Sequence, residues 1–73
     1  METKIVVVTD DESLLQAMYV DGVRVQSDET IYASDIEEAA KGRPIMLSTL
    51  SIELPEADDF PKTLERCMQL VVA

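Results

Sequence analysis

Three consecutive carboxylates, Asp10, Asp11 and Glu12, follow directly on the apolar run Ile5 to Val8. Oxygen ligands gathered at the end of a strand suit a hard divalent cation such as Mg²⁺ or Ca²⁺. A second acidic group, Glu56, Asp58 and Asp59, follows the apolar stretch Ile45 to Leu54. If the two stretches are parallel strands, both acidic groups meet at one end of a sheet. If they are antiparallel, the groups lie at opposite ends. Each group also has an ordinary structural use, because acids solvate turns and favour the positive end of a helix dipole.

The other reactive side chains are few. Cys67 is the single cysteine, and the chain has no histidine. A Cys–His nucleophile is therefore impossible, and Cys67 reads as a buried structural thiol on an apolar helix stripe. Tyr19 and Tyr32 are two of three aromatics. Each stands beside apolar residues and reads as a core side chain with its hydroxyl at the rim. Arg24, Lys41 and Arg43 are half of the six basic residues, and they form no patch. There is no glycine-rich phosphate loop, no zinc spacing and no Ser/His/Asp set. Acid–base work by carboxylates alone remains open, but a chain this short rarely encloses a useful pocket. The expectation is a protein that is not an enzyme and uses no cofactor.

The elements that must position these residues follow from pattern. Lys4 to Val8 is β-branched and apolar on both faces, as a covered central strand should be. The stretch Leu14 to Val20 is ambiguous. Thr9 and Glu12 could form a capping box for a helix there, or the stretch could be strand running into Val20-Asp21-Gly22-Val23. Asp-Gly between β-branched residues favours the hairpin, because a type I′ turn needs positive φ at both centres. Ser34-Asp35-Ile36-Glu37 reads as a capping box opening a helix over about Asp35 to Lys41. Gly42 stands at the C-cap position, and Pro44 blocks continuation. Ile45 to Leu54 reads as a strand with Met46, Leu50, Ile52 and Leu54 on one face. Thr49, Ser51 and Glu53 make the other, wetter face. Asp58-Asp59-Phe60-Pro61 predicts the start of a last helix, with Phe60, Leu64, Cys67, Met68 and Val71 on its apolar stripe.

The order is β-β-β-α-β-α, one small α+β domain. It implies a three- to four-stranded antiparallel or mixed sheet with a Val20–Val23 hairpin and two helices.

The first strand and its acidic end resemble the start of a response-regulator receiver domain, whose acidic pair grips Mg²⁺. The resemblance covers that stretch alone. A receiver is a longer chain, with a phospho-accepting Asp ending a later strand and a Lys after another. Here the late strand ends Ile52-Glu53-Leu54, and a hairpin occupies the place of a helix and a parallel strand. The family is excluded.

The charge balance narrows the function classes. Fifteen acids and six bases give a net charge of −9, which repels nucleic-acid backbones and anionic membranes. No apolar run is long enough to span a bilayer, and a lone cysteine with no export signal points to a reducing cytoplasm. Seventy-three residues bury only roughly 60% of the unfolded surface. Two short helices suffice for one sheet face, so the second face predicts a homodimer. The leading reading is a protein-interaction or regulatory module that self-associates or docks a basic partner through its exposed sheet edges and the hairpin. One rival is a divalent-cation-binding protein using Asp10, Asp11 and Glu12. Another is an acidic inhibitor that mimics nucleic acid.

Overall fold

The computed structural model describes residues 3–54 and 59–71, with backbone alone described at residues 28–29. Its elements are β1 (Thr3–Asp10), β2 (Gln16–Val20), β3 (Val23–Glu29), α1 (Ala33–Ala40), β4 (Ile45–Ile52) and α2 (Leu64–Met68). The fold is α+β, with a mixed four-stranded sheet in the order β3-β2-β1-β4. The first three strands form an antiparallel meander, and β4 pairs in parallel with β1 on its other side. The chain thus crosses from one edge of the sheet to the other through α1.

β1 is central, as its composition requires. Side chains alternate across a strand, so Ile5 and Val7 point to one face and Val6 and Val8 to the other. All four are buried. The first face packs Ile5 and Met18 against Ala40, with Ile36, Ala39 and Ile45 around them. That is the α1 side. The second face packs Val6, Val8, Ala17, Tyr19 and Ile52 against Phe60 and Cys67, with Leu64 and Leu70 alongside. That is the α2 side. The two helices therefore lie on opposite faces. This corrects the expectation that both would share one face and leave the other for a partner.

The hairpin forms as predicted. Asp21 and Gly22 take φ of 50° and 89°, the two left-handed centres of a type I′ turn. The Asp21 carboxylate accepts the Lys4 N–H at 3.1 Å, which ties the turn to β1. The ambiguous stretch is not a helix: it is strand from Gln16 to Val20, as favoured, and residues 11–15 before it form a second hairpin loop. The Leu15 carbonyl accepts from Asp10, the Asp10 carbonyl accepts from Leu14, and Leu14 sits at φ 63°. Strand pairing resumes at Gln16, which a Thr9–Glu12 capping box would have prevented.

Both helix starts differ from the sequence reading. α1 is capped at Tyr32, two residues before Ser34. Asp35 supplies the returning bond, its carboxylate accepting the Tyr32 N–H at 2.8 Å. An acid at the third helical position does this equally well, so Asp35 takes the part assigned to Glu37. The left-handed exit begins at Lys41 (φ 54°) and continues through Gly42. α2 starts only after Thr63, so Phe60 and Pro61 precede it outside the helix. Asp58 lies outside the described residues, and Asp59 is exposed and non-helical. The segment cannot coil earlier because it is held to the sheet. Thr63 bridges Val23, and Arg24 donates to the Lys62 carbonyl.

Candidate functional site

Asp10 is buried at the C-terminal end of β1. Its Oδ2 accepts from the Ser13 hydroxyl at 2.6 Å and from the Ser13 N–H at 3.2 Å. Its Oδ1 accepts the Leu54 N–H at 3.2 Å. These bonds stabilise the charged form, Ser13 foremost, and they outweigh burial to hold the carboxyl below its ordinary value. Asp10 thus fastens the β1–β2 loop to the end of β4. Asp11 and Glu12 are exposed in that loop. Because β4 runs parallel to β1 and Asp10 lies beside Ile52, the chain leaves β4 at this same end, and Asp59 beyond it is exposed. Glu56 and Asp58 lie outside the described residues. Among the described residues, no three His, Cys, Asp or Glu side chains come together as a metal site.

Tyr19 and Cys67 meet in the core of the α2 face, both fully buried. The Tyr19 hydroxyl donates to the Pro61 carbonyl, and Arg24 Nη1 donates to the Phe60 carbonyl. Together they pin the segment before α2 to the sheet. Burial is the main cause raising the pKa of both the Tyr19 phenol and the Cys67 thiol. Both stay neutral near pH 7, so this pair holds structure and offers no nucleophile. Tyr32, the other tyrosine, is exposed at the start of α1.

The sheet edges differ in how they are protected. At the β3 edge, residues 22–24 bond to residues 62–64, and two register shifts interrupt the β2 pairing. At the far end of β4, Glu53 donates to the Leu70 carbonyl and Ile52 bridges Val71. From Ile45 to Leu50 no described strand lies outside β4. The Ile52 carbonyl faces β1, where it accepts from Asp11, whereas the Glu53 N–H faces away. Backbone direction alternates along a strand. The N–H and C=O groups of Leu47 and Thr49 therefore point outward.

That edge is also apolar. Met46 and Leu47 are 55% and 52% exposed, and Met68 of α2 is 58% exposed. A groove of about 320 Å³ runs beside them, lined by Val6, Leu50 and Leu64 as well, with Lys4, Ser48 and Thr49. The strand Ile-Met-Leu-Ser-Thr-Leu-Ser-Ile carries no charge and no proline. Exposed Lys41 and Arg43 precede it, and exposed Glu53 follows. Sequence reasoning anticipated sheet edges as contact surfaces but did not single out Met46, Leu47, Thr49 or Met68. The uncharged run was the available signal.

Comparison of the chain with protein-family models, with curated proteins and with solved structures finds no match. No helix among the described residues is long and apolar enough to cross a membrane.

Proposed function

We propose that the chain is a non-enzymatic protein-interaction module of the reducing cytoplasm, and that it docks an extended protein strand on the outer edge of β4. One observation carries the reading. Among the described residues, Ile45 to Leu50 is an uncovered, uncharged edge, while the start of the β3 edge and the far end of β4 are covered. Natural sheets guard long apolar edges with charge, proline, bulges or a covering loop, so an unguarded edge beside an apolar groove fits strand addition. The ligand class follows from chemistry. Backbone groups of Leu47 and Thr49 select a peptide strand, and a net charge of −9 opposes nucleic acid and anionic membrane. The missing histidine and the neutral, buried Cys67 support a role without catalysis.

Amide hydrogen exchange on the full chain tests this with two peptides. One copies Pro44 to Glu53. The other is an alternating Val/Thr strand flanked by lysines, which the acidic surface would attract. At least one should protect the Leu47 and Thr49 amides, and Thr49→Pro should abolish that protection. The Thr49 N–H faces away from β1, so proline there removes an outward donor and spares the inner ladder. If neither peptide protects those amides at concentrations of about 1 mM, where an interaction worth ~4 kcal/mol would show, the reading fails.

A further inference from the structure

We infer that the occupant of this edge is a second copy of the chain, paired antiparallel through β4 about a two-fold axis at Ser48. The inference rests on the strand-docking reading and names its partner.

A two-fold interface joins the same patch on both subunits, and β4 is suited to meet itself. An axis at Ser48 sets Met46 opposite the partner's Leu50 and Leu47 opposite the partner's Thr49. Leu47 and Thr49 have outward backbone groups, so each of these pairs exchanges both of its hydrogen bonds. The uncovered stretch therefore supplies the ladder, which stops where Leu70 already bonds Glu53. Sliding the partner by one residue, which puts the axis between two residues, would set outward backbone groups opposite inward ones and break the ladder.

Charge selects the same partner. The edge is bare of acids despite the net charge of −9. Arg43 precedes β4 and Glu53 follows it, both exposed. Antiparallel pairing about Ser48 brings Arg43 toward the partner's Glu53 at both ends of the seam, just beyond the last rungs of the ladder. A parallel partner would instead oppose arginine to arginine. The exposed Met46, Leu47 and Met68 leave water at the same seam, as the apolar core of a dimer interface requires.

The axial residue gives a specific test. Ser48 is exposed and would lie directly opposite its own counterpart, so Ser48→Arg places two like charges together on the axis, and Ser48→Asp does the same. Sedimentation velocity should be run on the full chain from about 1 μM to 1 mM, a range spanning weak and moderate affinities. Far-ultraviolet circular dichroism should confirm that each variant is folded. The parent chain should reach twice its 8.1 kDa mass. Each single variant should dimerise about 100-fold more weakly, and an equimolar mixture of the two should recover dimer, because opposite charges then meet. A parent chain that stays monomeric overturns the inference, and the strand-docking reading stands if peptides still protect Leu47 and Thr49. A dimer that neither variant weakens, or variants that do not recover on mixing, also overturns it.

Discussion

Replacing Asp10 by asparagine tests whether that carboxylate is a structural fastener. The side chain keeps its shape. Its Oδ1 can still accept the Leu54 N–H, but the new amide donors face the Ser13 N–H, which is a donor too, and the Ser13 hydroxyl must turn to accept in place of donating to a charge. Hydrogen bonds to a charged acceptor contribute about 1.5–3 kcal/mol each. Ser13 is exposed and can turn to water, so its two bonds together count for about one. The weakened bond to Leu54 adds a fraction, and the expected cost is about 2 kcal/mol. A domain of this size has only about 4–11 kcal/mol in all. The melting temperature should therefore fall by about 8–16 °C at pH 7. The pH dependence follows from the lowered carboxyl. A folded-state pKa below the ordinary 3.8 means that the contribution is complete above about pH 4 and is lost as pH falls through the folded value. The gap between parent and variant should accordingly narrow in acid. Thermal melts followed by circular dichroism at several pH values supply the measurement. A variant melting within about 2 °C of the parent at pH 7, or a gap as wide at pH 2.5 as at pH 7, would falsify the fastener argument.

Leu14 is 70% exposed at φ 63°, so Leu14→Gly should relieve left-handed strain and raise stability by about 0.5–1 kcal/mol in urea unfolding; a loss of stability would show that the side chain packs. Cys67 is fully buried with a raised thiol pKa, so iodoacetamide should label it only through opening of the fold, and labelling should rise in step with urea-induced unfolding. Fast labelling in native buffer would contradict that burial. Both Asp10 oxygens already accept protein protons, so Ca²⁺ at about 10 mM should leave the melting temperature unchanged within about 1 °C, and a rise of several degrees would restore the cation reading.

What the sequence discloses here depends on how local the determining physics is. The Asp21-Gly22 turn and the Ile5 to Val8 strand are legible because φ preference and side-chain alternation act over a few residues. The capping signals mark α1 to within two residues, and Asp35 displaces Glu37 because either acid can reach a free N–H. α2 is mistaken in length. Its first turn is held extended by Val23, Gly22 and Arg24, residues some forty positions away that no local pattern announces. The same blindness affects the second sheet face. Phe60 and Cys67 look like one helical stripe, yet only Cys67 is in the helix, and the non-helical run through Phe60 covers what two helices alone could not. At the candidate site, Asp10 is visible as an acid, but its fastening role depends on the parallel register that places Leu54 beside it. The β4 edge is hidden for a related reason, since only the strand order shows which strand has no outer neighbour.

The parallel pairing of β4 also has a kinetic consequence. The meander of β1, β2 and β3 closes through short loops and tight turns. The rungs joining Thr3 to Ile45 and Asp10 to Ile52 span most of the chain, and closing so long a loop has an entropic cost that nearer contacts avoid. The meander should therefore assemble first, with β4 arriving afterwards. In that interval the inner edge of β1, with its Val6-Val7-Val8 run, lacks its neighbour. A newly made chain then briefly presents a second apolar edge, one that the finished fold conceals, and refolding yield should fall as protein concentration rises.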